Sequence, residues 1–230
     1  MKKLLKKDSL LIINVGGLLL CSIVACLTPV LCCMLYRDID ESIVSVLLGT
    51  SFVFLSPMIM CVIVTLLLTT SFAIELKDKT IVYLLANGFR QQDIWLCKLL
   101  VAAVYGYLTM VASFFIYLAA VYLQWRIMLS FSIEQILLMF VILPFISLVF
   151  SAVLWLLMWV TKTVGTLISG IFPMALYMFS MYFCQRMVEM NIKIGWGSVI
   201  GVIAVTVGVL YLISVGVNRV DKEYWVNVHK

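Results

Sequence analysis

The chain has 230 residues, 65% hydrophobic and 12% charged, with a mean hydropathy of +1.18, which is too apolar for a soluble domain and marks an integral membrane protein. Its net charge of +5 is modest and its cations sit in short segments between apolar runs, so nucleic acid is excluded as a partner in favour of orientation in a membrane. The apolar runs far exceed the alternating ten-residue strands of a barrel, so the fold class is an all-α polytopic membrane protein.

The opening segment, MKKLLKKDS, has the basic start of a signal peptide, but the apolar run after it is too long for an h-region and offers no convincing cleavage site. It reads as a retained first span over Leu10–Leu35, with Lys2, Lys3, Lys6 and Lys7 placed to bind anionic headgroups of membrane lipids. A second span over Ile43–Ile74 is longer than a bilayer core requires, and Pro57 supplies a site for a kink. Four further spans follow at Leu99–Leu123, Ile133–Val160, Val164–Phe183 and Trp196–Val217, with Pro144 and Pro173 as further kink sites. The Thr161–Lys162 connection is so tight that the fourth and fifth spans form an antiparallel hairpin.

Charge asymmetry orients these six spans as one domain over residues 1–230. With both termini in the cytoplasm, twelve lysines and arginines face inward, and only Arg37, Arg126, Arg186 and Lys193 face outward. The location is then the plasma membrane, a bacterial cytoplasmic membrane. No charged residue falls at mid-membrane depth, which disfavours ion-coupled transport and channels. His229 is the one histidine, and the seven cysteines follow no metal-ligand spacing, so His-dependent triads and metal centres are excluded. The chain also lacks G-x-x-x-x-G-K-[ST] and binds no ATP in the P-loop manner.

The segment 75–98 is the long polar interruption, ELKDKTIVYLLANGFRQQDIWLCK. Ile81, Leu84 and Leu85 recur at helical spacing, which predicts a short helix over Thr80–Ala86 ended by Asn87-Gly88. A second helix begins near Gln91 or Asp93 and runs through Ile94, Trp95 and Lys98 into the third span. The short helix either docks on a protein partner or rests on lipid, since both use the same apolar stripe. Glu75 and Lys98 are either part of that coupling device or ordinary helix-end charges.

A glutamate ending the second span, then Thr80, Leu84-Leu85, Ile94 and Lys98-Leu99, resembles the membrane-spanning subunit of ABC transporters of the type-2 (ABC-2) permease family. Asp78-Lys79 stands where the family has arginine or glycine, and Asn87-Gly88-Phe89 where it has a small polar residue and proline. The resemblance implies an exporter subunit with no ATPase of its own. It implies as partners cytoplasmic ABC ATPase subunits carrying ATP and Mg²⁺, a second permease subunit (identical or similar), and a hydrophobic substrate. It makes Thr80–Ala86 a coupling helix, with Glu75, Lys79, Thr80, Ile81, Leu84, Leu85, Arg90 and Lys98 as the contact to the ATPase. Phe52, Met58, Tyr177, Phe179 and Met181 would line the translocation path, whose methionines and aromatics suit an apolar cargo. The small size fits export of hydrophobic or amphipathic peptides, antimicrobial or cytolytic, or self-immunity. Drug-like or lipid cargo, and a membrane immunity or assembly protein that transports nothing, are the alternatives.

Overall fold

The computed structural model describes residues 7–9, 16–35, 41–161, 178, 182 and 196–217. Among these residues the fold is helical, with no strand. The helices are α1 (Gly17–Leu35), α2 (Glu41–Lys77), α3 (Thr80–Ala86), α4 (Gln91–Trp125), α5 (Ile133–Leu137), α6 (Leu143–Thr161) and α7 (Trp196–Val217), with a π-helical stretch, Leu138–Ile142, joining α5 to α6. Four stretches are long and apolar enough to cross a membrane: Ser51–Glu75, Gln91–Trp125, Ile133–Met158 and Val199–Val217. Gly17–Val30 is a shorter apolar stretch. The expected fifth span and the Thr161–Lys162 hairpin lie outside the described residues, apart from Thr161 itself and the helical, exposed Met178 and Tyr182.

α2 is the central helix, and α4 runs antiparallel to it. At one end of the pair the Tyr117 hydroxyl donates to the Leu48 carbonyl at 2.7 Å, and at the other Lys98 meets Glu75. Midway the backbones approach closely at Gly106, where an added Cβ would stand 2.7 Å from a Val64 methyl and 3.3 Å from the Met60 carbonyl oxygen. The interior between them is aromatic: Phe52 stacks on Tyr117 at 4.7 Å and tilts against Phe114 at 5.5 Å.

α6 lies on the other side of α2 and runs parallel to it, since Ser147 donates to the Pro57 carbonyl, Ser151 to the Cys61 sulfur and Thr69 to the Met158 sulfur. α7 packs on α6, also in parallel, and its Ser214 accepts from Gln92 at the start of α4. Hence α6 finishes at the end of the layer where α7 also finishes.

Two of the described helix prolines, Pro57 and Pro144, are handled differently. Pro57 lacks the N–H that would bond the Val53 carbonyl, and the Ser56 hydroxyl donates to that carbonyl instead at 3.1 Å. Pro144 sits just past the π stretch, whose wider turn makes room for the ring against the preceding backbone. The Phe140 carbonyl, left without the Pro144 N–H, accepts from the Tyr107 hydroxyl of α4 at 3.3 Å. Proline therefore costs neither helix its backbone pairing.

Candidate functional site

The segment between α2 and α4 folds as its sequence predicts, with α3 over Thr80–Ala86. Lys79 turns the chain out of α2 with φ 54°, and Gly88 turns it out of α3 with φ 82°. After α3 the Phe89 N–H bonds the Leu84 carbonyl and the Gly88 N–H bonds the Leu85 carbonyl, the paired closure that a left-handed glycine allows. Asn87 adds a side-chain bond to the Tyr83 carbonyl at 2.8 Å. Arg90 precedes α4, which carries Asp93 in its first turn against the positive helix end.

The apolar stripe of α3 is turned inward. Ile81 is 1% exposed, and Leu84, Leu85 and Phe89 pack on the chain's own core. These residues, expected to meet an ATPase, are thus occupied within this chain, with Leu84 and Leu85 only part-buried and Thr80 likewise. The outward face carries Tyr83, 66% exposed, and Lys77, Asp78, Lys79, Asn87 and Arg90 in the same segment are exposed too.

Glu75 and Lys98 come together beside α3, each nearly inaccessible. Lys98 Nζ lies 2.6 Å from Glu75 Oε2, an ion contact whose angle falls outside hydrogen-bond geometry. Lys7 Nζ donates to Glu75 Oε1 at 2.6 Å, and Lys98 reaches Asp8 Oδ1 at 3.5 Å. Ser9 and Tyr105 of α4 share a hydroxyl contact at 3.0 Å. Two cations and two carboxylates thus pair across three segments, which is how buried charge is tolerated. Burial pushes the Asp8 carboxyl above its ordinary value; Lys98 pulls it back, Glu75 adds to the rise, and Lys7 lowers it.

Glu75 and Lys98 therefore brace α2 against α4. Lys7, expected at lipid headgroups, is part-buried on Glu75 instead. Asp8 was not singled out by the sequence, although it is the one acid in the basic run MKKLLKKDS. Tyr83 carries no sequence signal either, since it lies off the apolar stripe of Ile81, Leu84 and Leu85. Gln91, at the first turn of α4, is 1% exposed with neither side-chain amide atom bonded, and Trp95 Nε1 one turn on is also unbonded.

Of the residues assigned to a path, Phe52 stands in the core against α4 and Met58 is half-buried on α2. Tyr177, Phe179 and Met181 lie outside the described residues. An apolar groove of about 470 Å³ runs between α6 and α7, lined by Ile146, Phe150, Val202, Val205 and Val209 among others. Among the described residues no group of His, Cys, Asp and Glu could hold a metal ion. No family model, curated protein or solved structure matches the chain.

Proposed function

We propose that this chain is the membrane-spanning subunit of an ATP-driven exporter of the ABC type-2 class, moving hydrophobic or amphipathic peptides. It would pair with a second permease subunit and take its energy from a separate cytoplasmic ATPase that holds ATP and Mg²⁺. The observation that carries this reading is the outward face of α3: one exposed tyrosine, Tyr83, on a short helix whose flanking residues Lys77, Asp78, Lys79 and Arg90 are also exposed. Tyrosine and arginine dominate the energetics of protein interfaces. A helix resting on lipid would turn its apolar stripe outward, and this one turns it inward. The contact is then a knob, with a cationic rim suited to an acidic groove on the ATPase.

The test is capture of the ATP-binding chain by tagged, membrane-extracted protein. Tyr83→Asp, or Lys79→Glu with Arg90→Glu, should lower recovery of the ATPase about tenfold or more while the melting temperature stays near wild type. Recovery unchanged in both variants would reject the docking face. If an ATPase is captured but peptide uptake into inverted vesicles does not depend on ATP, the reading as a non-transporting immunity or assembly protein takes its place.

A further inference from the structure

The four-charge cluster divides into two unequal halves. Glu75 and Lys98 are 2% exposed at the side chain, lie 2.6 Å apart, and belong to the two long helices that form the core. Lys7 and Asp8 are neighbours in sequence and reach the cluster from outside those helices. Lys7 keeps a third of its side chain in solvent, and the Asp8 contact to Lys98 is long at 3.5 Å.

Removing the outer half strands no charge, although Glu75 Oε1 gives up its hydrogen bond from Lys7. Glu75 keeps Lys98, and Lys98 keeps Glu75, so the inner pair remains paired. Lys7 and Asp8 carry opposite charge, so they arrive or leave as a neutral unit and the cluster's net charge is zero either way. A buried ion pair is costly to break because it strands a charge, and this arrangement avoids that cost. Among the described residues, the remaining ties of the outer segment are the Ser9–Tyr105 hydroxyl contact and the burial of Asp8 itself, which is 4% exposed. Desolvation outweighs the attraction of Lys98 at that carboxyl, so docking it is expensive for the segment.

We propose that residues 7–9 form a detachable strap, clipped across the ends of α2 and α4 by Lys7 and Asp8, with the Glu75–Lys98 pair as its permanent catch. With the strap down, both carboxylate oxygens of Glu75 are covered and the α2 and α4 ends are held as one platform for α3. With the strap up, the catch stays closed but faces water, and the two helix ends are free to move against each other. Lys7 and Asp8 are positioning residues in this scheme. The device stands whether or not an ATPase binds Tyr83, so its failure and that of the exporter reading are separate results.

The test is hydrogen exchange, read by mass spectrometry on the full-length protein in lipid nanodiscs. In the wild type the peptide containing residues 7–9 should exchange at least about tenfold faster than peptides covering Glu75 and Lys98, because it opens without them. Lys7→Ala with Asp8→Ala should speed the strap peptide a further severalfold and leave the ends of α2 and α4 within about twofold of wild type. The exchanged order Lys7→Asp with Asp8→Lys, which preserves composition, should undo the strap as completely, since each charge would then face its like. Two results would overturn the proposal. One is a strap peptide protected as well as the helix ends in the wild type. The other is a double alanine variant whose α2 and α4 ends open together with the strap.

Discussion

At the scale of single residues, the inner pair and the strap make opposite predictions. Lys98→Met leaves Glu75 and Asp8 with only the half-exposed Lys7 between them, which strands buried negative charge. Such a loss should cost about 3–5 kcal/mol, read as a fall in the midpoint of thermal unfolding in detergent. Adding Glu75→Gln to that variant should restore much of the loss, because two apolar-compatible neutral groups replace a broken pair. Asp8 should instead report pH. It faces Lys98 and the Cys97 thiol from α4, Glu75 from α2 and Lys7 from its own segment, and burial raises its carboxyl above 3.8. A carboxyl raised in the docked state binds its proton more readily there than in the free segment. Docking is therefore favoured fully below that ordinary value and loses this contribution as pH rises through the raised one. After correction for intrinsic exchange, strap protection should decline as pH rises above the ordinary carboxylate range, and Asp8→Asn should flatten the profile. The sequence placed Glu75 and Lys98 at adjoining span ends, so their proximity was legible. The part of Lys7 and Asp8 was not, because a basic N-terminus reads as a headgroup anchor until the fold folds it back onto α2 and α4.

At the scale of elements, α3 and α7 were legible because their signals are local. Asn87-Gly88 closes α3 where the left-handed turn requires it, and the α7 limits coincide with the ends of its apolar run. The destination of the α3 stripe was not legible. Periodicity identifies an apolar face but is silent on whether that face meets a partner or the chain's own core. The π stretch before Pro144 was foreshadowed only as a kink site. Its energetic signature lies in Tyr107, whose hydroxyl serves the carbonyl that Pro144 leaves open. Tyr107→Phe should destabilise the wild-type chain by about 1 kcal/mol, and much less when Pro144 is replaced by Ala and an N–H returns at that site. The α2–α4 contact has a similar single weak point at Gly106. Gly106→Val would drive a branched side chain into Val64 and the Met60 carbonyl, an overpacking expected to cost about 1–3 kcal/mol in unfolding assays.

At the scale of the whole molecule, the pairings fix the directions of α2, α4, α6 and α7. α4 leaves the end that holds the charge cluster, where Asp8 and Ser9 lie beside Lys98 and Tyr105. α2 returns to that end at Glu75, and α6 runs parallel to α2. α7 also finishes there, with Ser214 against Gln92. Two successive described helices that finish at the same end require the chain between Thr161 and Trp196 to link opposite ends of the layer. The proposed six-span arrangement would meet this with a fifth crossing, because backbone outside a helix finds no water to pair with in a bilayer. The resulting prediction uses single cysteines introduced in a background whose native cysteines are replaced, with an impermeant thiol reagent applied to sealed vesicles of known sidedness. Lys79→Cys on the α3 flank and Asn218→Cys just past α7 should react from one face. Ser130→Cys, in the connection between α4 and α5, should react from the other. The same face for Lys79 and Ser130 would break the alternation on which the six-span arrangement depends. Lys79 and Asn218 on opposite faces would remove the fifth crossing and leave the parallel course of α6 and α7 without a connection. If Lys79 and Asn218 react from the cytoplasmic side, the basic residues have oriented the chain as their twelve-to-four bias requires, and Tyr83 stands where a cytoplasmic ATPase reaches it.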